Sequence, residues 1–254
     1  MHKRISVTRL CLPVLFAMLA SLVSYGQQRS PTDTVREFYK AMRERKFKEA
    51  FGMSIYKPAI EGLSQQEFDD LRPDFEKMAA AIPEKVDLSG EQISGDSATV
   101  FVKVKETPDT QEQAEPISLI KVNGAWIVGD RENEAIVKKA GKEFFFATRI
   151  ETHHSDVQDL PKRIVLAQTV YSAQHDGKFA NLAELIAAGL LPKDLEGTDS
   201  TGYSFKVNRA TDGKSWYATA EPAQYGRTGK LSYYLDSGGV RSGDAAGQPL
   251  VIKN

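Results

Sequence analysis

Pro116-Ile117-Ser118-Leu119-Ile120-Lys121-Val122-Asn123-Gly124-Ala125-Trp126-Ile127-Val128 is two apolar runs joined by two turn residues. Asn-Gly between such runs favours a tight hairpin, because both turn positions need positive φ. The stretch therefore predicts antiparallel strands over 116–122 and 125–128. Upstream, Val86, Leu88, Ile93, Val100, Val102 and Val104 alternate with polar residues, and Gly95-Asp96 supplies a turn. Alternation at period two predicts more strands with one wet face. Glu106 to Glu115 is polar and reads as a loop.

Ahead of these strands the period is helical. Ser30-Pro31-Thr32-Asp33 offers a capping hydroxyl, an early proline and an acid in the first turn, before Val35, Phe38, Tyr39 and Met42. Phe47, Ala50 and Phe51 mark a second short helix. Ser64-Gln65-Gln66-Glu67 is a capping box. It opens a third helix with Phe68 and Leu71, which bends or restarts at Pro73 and continues through Phe75, Met78 and Ile82. Glu132 to Phe146 is helical again. Helices followed by a strand meander predict an α+β fold over 30–146, with helices packed on a curved antiparallel sheet, or cone.

The remainder has its own grammar. A helix is predicted from Ser155 to His175, with Pro161 near its first turns. A short helix follows, capped by Asn181, and then strands over 203–207, 216–220 and 231–235. Gly238-Gly239 turns the last of these into Val240-Arg241. The expected organisation is a helical connection at 147–159, a helix and small antiparallel sheet at 160–242, and a loose tail at 243–254.

Lys3, Arg4 and Arg9 precede an apolar run from Leu10 to Val23, and Ser24-Tyr25-Gly26 supplies small residues for cleavage. That is the pattern of a signal peptide over 1–26. The run is shorter than the roughly 20 residues that span a bilayer. The expected product is exported, to the periplasm or beyond, and is not inserted in a membrane after cleavage. Removing the segment takes Cys11, the one cysteine, and moves the formal charge from −1 to −4. Disulfides, thiol catalysis and cysteine-ligated metals are then excluded. Neither half is basic, which argues against a nucleic-acid partner.

Residues 31–39, Pro-Thr-Asp-Thr-Val-Arg-Glu-Phe-Tyr, and the pair ending Asn123-Gly124-Ala125-Trp126-Ile127-Val128 resemble the nuclear transport factor 2-like superfamily, especially its small secreted bacterial branch of unknown function. The second half resembles the globular head of type IV pilins and type II secretion major pseudopilins. The residues carrying that likeness are Gly177-Lys178-Phe179-Ala180-Asn181-Leu182, Ala187-Ala188-Gly189-Leu190-Leu191, Thr201-Gly202-Tyr203-Ser204-Phe205 and Tyr225-Gly226-Arg227-Thr228-Gly229. A filament subunit would carry a long apolar half-helix. The residues before Val165 include His153, His154, Asp156, Gln158 and Asp159, too polar for that role.

Enzymes of the cone superfamily place acid–base residues inside the cone. Once His2 is removed with the signal segment, the remaining His153, His154 and His175 all lie in the second half, so a histidine-dependent dyad is excluded from the first. A carboxylate–tyrosine pair, Tyr39 or Tyr56 with Asp69 or Asp74, stays open. His153-His154 with Asp156, and Asp212, Asp236 and Asp244 for calcium, are weighed as metal sites. Helix geometry and turn chemistry explain them more simply. Neither metal nor cofactor is expected. The best ligand-binding candidates are aromatic residues able to line an apolar pocket: Tyr39, Phe51, Tyr56, Phe101 and Trp126. Phe144-Phe145-Phe146 cannot all face one side of a helix, so one should meet the other half or a partner. The expected function is non-catalytic binding of an apolar small molecule or an envelope protein. The alternatives are a carrier or enzyme of the cone type, or an accessory of a pilus or secretion system.

Overall fold

The computed structural model describes residues 29–83, 86–104, 113–198 and 201–250. The segment expected to be a signal peptide and most of the polar loop after Val104 lie outside these. The fold is α+β, with two antiparallel sheets and helices against each.

Among the described residues four helices come first: α1 (Pro31–Arg43), α2 (Phe47–Gly52), α3 (Lys57–Glu61) and α4 (Gln65–Ala80). Ser30 caps α1 by accepting from the Asp33 amide. The capping box at α4 forms as the sequence implies, with Ser64 Oγ and the Glu67 carboxylate each accepting the other residue's amide. Pro73 neither ends nor restarts α4, which runs through it. Phe68, Leu71 and Phe75 are buried on one face. Their packing outweighs the hydrogen bond that proline removes, because burial stabilises by about 1.5–3 kcal/mol per large apolar side chain.

The first sheet is a meander, β1 (Asp87–Ser94), β2 (Ser97–Val104), β3 (Gln113–Val122) and β4 (Ala125–Val128), in sequence order. Asn123 and Gly124 take φ of 50° and 83°, the double positive turn their identities favour. A bulge between Leu88 and Gly90 shifts the β1–β2 register. Val35 and Tyr39 of α1 lie over Ala98, Val100, Val102 and Leu119. Ile120, Val122 and Ile127 alternate away from these and join a larger core made with the helices. Gly129 seals this corner: its φ is +125°, and a Cβ there would sit 2.5 Å from the Ile55 side chain. Only glycine meets both demands.

The downstream helices differ from expectation. Gly141, at φ 54°, stops α5 (Arg131–Ala140). After a single 3₁₀ turn, α6 (Phe144–Gln174) runs unbroken for 31 residues. At 1.5 Å per residue it is about 46 Å long. The predicted connection and the predicted second helix are thus one rod, with Pro161 in its interior. Phe145 and Phe146 belong to the first core, whereas Val157, Leu160, Ile164 and Ala167 belong to the second. Two hydrophobic stripes on one helix make its continuity favourable.

Beyond it lie α7 (Leu182–Ala187) and a second meander, β5 (Tyr203–Arg209), β6 (Trp216–Pro222), β7 (Leu231–Asp236) and β8 (Gly239–Asp244). Gln168, 1% exposed, donates to the Ala180 carbonyl and accepts its amide, fixing α6 to the segment before α7. The tail is more ordered at its start than predicted. Gly243 and Asp244 pair with Ser232 and Leu231, and Ser232 Oγ donates to the Gln248 carbonyl. Ladder bonds from β7 hold a segment whose small polar residues carry no strand signal of their own.

Candidate functional site

Phe68, Leu71, Phe75 and Met78 recur at three- and four-residue spacing on α4 and face the start of α6. Where the two helices diverge they leave a cleft of about 290 Å³. Leu71, Phe75, Met78 and Phe145 make its apolar part; Asp74, Arg149, Thr152, His153 and Asp156 supply polar groups. Phe75 is at the centre of the supporting ring cluster, with centroids 5.0 Å from Phe51 and Phe145 and 5.6 Å from Phe47. Tilted and edge-on arrangements are the ones aromatic rings prefer.

One wall is held by Arg149, whose side chain is 8% exposed. Its Nε donates to Asp74 Oδ2 at 2.7 Å, and its Nη2 to the Asp70 carbonyl at 2.6 Å. Nη1 donates to Asp70 Oδ2 at 3.2 Å. The guanidinium is neutralised in place, as a buried cation must be. A second depression, open and polar, lies beside it between Ser64, Glu67, Asp70, Lys142, Gln224 and Arg227. Glu67 is its hub, accepting from Lys142 at 3.2 Å and from Arg227 at 3.0 Å. The Ser64 amide and hydroxyl, then the Lys142 ammonium, hold the Glu67 carboxyl down to about 2.

The five aromatic candidates divide among different surroundings. Phe51 and Tyr56 meet edge-on at 5.9 Å, and both pack against Phe145, so they back the cleft without heading it. Tyr39 and Trp126 pack against the sheet core under α1, with Lys121 over the Trp126 ring. Phe101 alternates with Val100 and Val102 and so points to the opposite face. Burial pushes the Tyr39 and Tyr56 phenols up, away from acid–base work near neutral pH. Asp69 is engaged by Arg72 and Gln65, and Asp74 by Arg149.

Metal candidates serve the backbone. His153 Nδ1 donates to the Thr228 carbonyl, and His154 Nε2 accepts from the Lys230 amide. Asp212, Asp236 and Asp244 each accept a nearby backbone amide in a turn. Among the described residues no three His, Cys, Asp or Glu side chains converge as a metal site. Phe146 is the aromatic of its triplet that meets the second half, with the Arg227 guanidinium 3.9 Å from its ring centroid.

Sequence reasoning missed the cleft, although its signals were present. The apolar stripe on α4 and the Asp70–Asp74 spacing both lie in one helix. Their counterpart Arg149 is 75 residues away, and only the fold shows that it faces them.

No protein-family profile matches the chain, and no curated protein matches it in sequence. Among solved structures, one from Campylobacter jejuni, provisionally described as an NTF2-like transpeptidase, is similar at 18% identity. The match covers 41% of this chain and 100% of that one, with a TM-score of 0.29, which by itself carries no argument. Among the described residues no helix is long and apolar enough to cross a membrane.

Proposed function

We propose that this is an exported, non-catalytic binding protein, and that the α4–α6 cleft holds an apolar or amphipathic small molecule. The observation carrying this reading is the cleft itself. It is a concave space of about 290 Å³ with a rigid aromatic floor and a few oriented polar groups at one wall, close to the lower size of small-molecule sites. The export signal supports the location. Helices followed by an antiparallel meander support reading the first part as a nuclear transport factor 2-like domain. A helix followed by a four-stranded meander supports reading the second as pilin-head-like. Both likenesses are to folds that host many functions, so the site carries the functional argument.

Native mass spectrometry on protein purified from its own host, without denaturation, tests this. A bound apolar molecule should be released on activation. Met78→Trp, at the cleft wall where Met78 is 44% exposed, should abolish its retention while leaving the unfolding midpoint close to wild type. Turnover of esters, epoxides or sugars by the purified protein would overturn the non-catalytic reading. Retention of the ligand by Met78→Trp would place the site elsewhere.

A further inference from the structure

The segment between β6 and β7 is a compact hook. Gly226 donates to the Gly229 carbonyl, and Arg227 and Thr228 donate to the Gln224 carbonyl. These bonds tie the loop to itself. Two histidines of α6 grip it differently. His153 uses Nδ1 as a donor to the Thr228 carbonyl at 2.8 Å, a bond that survives protonation of the ring. His154 uses Nε2 as an acceptor for the Lys230 amide at 3.2 Å and the Leu231 amide at 3.5 Å. An accepting Nε2 requires the neutral imidazole. A proton there would set three N–H groups against one another with no acceptor between them.

We propose that His154 is a pH-operated latch: its protonation releases the 224–231 hook from α6, and with it the Arg227 contacts to Glu67 and Phe146. The groups facing His154 are Glu151 and His153 on its own helix, Lys230 in the loop just before β7 and the Tyr203 ring on β5. Glu151 favours the imidazolium. Burial, His153 and Lys230 oppose it, so the ring resists protonation in the closed state. The folded-state value is depressed. The latch is therefore fully closed above the unfolded value of 6.5 and opens as pH falls through the lower folded value. Because His153 and Arg149 both line the α4–α6 cleft, the device sits where it can couple pH to that space.

Amide hydrogen exchange of the full chain, corrected for intrinsic rates, tests it at about pH 7.5 and about pH 5.0. Protection of the Lys230 and Leu231 amides should be lower at about pH 5.0 than at about pH 7.5, because protonation of His154 favours the open hook. In His154→Gln the amide oxygen occupies the Nε2 position and does not titrate, so protection should persist at both values. His153→Gln should keep the wild-type pH dependence. Equal protection at both pH values in wild type, or an undiminished loss in His154→Gln, overturns the proposal. Should His154→Gln not fold, the His154 ring titration followed by NMR in wild type decides, and a value at or above 6.5 refutes the latch.

Discussion

Arg227→Met removes a guanidinium and keeps most of the stem that lies on Phe146. Three interactions go with the charge. The pair with Glu67, at 3.0 Å, is between side chains 32% and 16% exposed. The pair with Glu143, at 3.3 Å, has a partner 55% exposed. The third is the contact with the Phe146 ring, centroid 3.9 Å away, on a residue 1% exposed. An exposed pair contributes about 0.2–1 kcal/mol, and the better shielded one falls at the top of that range. The cation–π contact adds about 1 kcal/mol. The three share one group and are not additive, so the expected loss is about 1–2 kcal/mol. Urea unfolding at low ionic strength should show this as a lower midpoint at constant slope. High salt should shrink the difference, because the Glu143 pair is the most screened. Arg227→Lys should lose part of it, since an ammonium can neither fork between two carboxylates nor lie flat on a ring. A double-mutant cycle with Glu67→Gln should give a coupling of about 0.5 kcal/mol or more. An Arg227→Met protein indistinguishable from wild type, with no coupling to Glu67, would mean that the hook does not brace the first core.

Phe75→Ala should cost about 3–5 kcal/mol in the same assay, since Phe75 is fully buried amid four rings. A loss under about 1 kcal/mol would contradict the packing of the ring cluster. Glu67 predicts an acid limb. Its carboxyl is held at about 2 against 4.5 in the unfolded chain, so the stability it contributes is complete above 4.5 and is lost as pH falls from there through 2. Unfolding midpoints measured across that window should fall less steeply in Glu67→Gln, and equal slopes would refute the assignment.

Much of the fold is legible along the chain because its signals are local. Ser64 and Glu67 announce a helix start three residues apart, and Asn123-Gly124 announces a turn at its own two positions. Gln168 clamps Ala180 from twelve residues away, but a polar residue on a helix carries no sign of its partner. The continuity of α6 across Pro161 departs from the local signal. There one helix serves two separate cores, and proline's lost bond weighs little against that burial. The aromatic candidates illustrate the same limit. Composition identifies Tyr39, Phe51, Tyr56, Phe101 and Trp126 as residues able to line a pocket. Which face each occupies depends on strand register and helix rotation.

By itself the sequence determined the α+β class, the two antiparallel meanders, the capped helix starts and the aromatic stock of the first core. These follow from spacing, propensity and capping, which act over a few residues. Only the tertiary structure decided that α6 is a single rod serving both cores. It alone set Arg149 between Asp70 and Asp74, and brought Arg227 to Glu67 across 160 residues. Burial of apolar surface is non-directional and leaves no pairwise mark in the sequence, so the cleft those residues frame could be found only once the helices were packed.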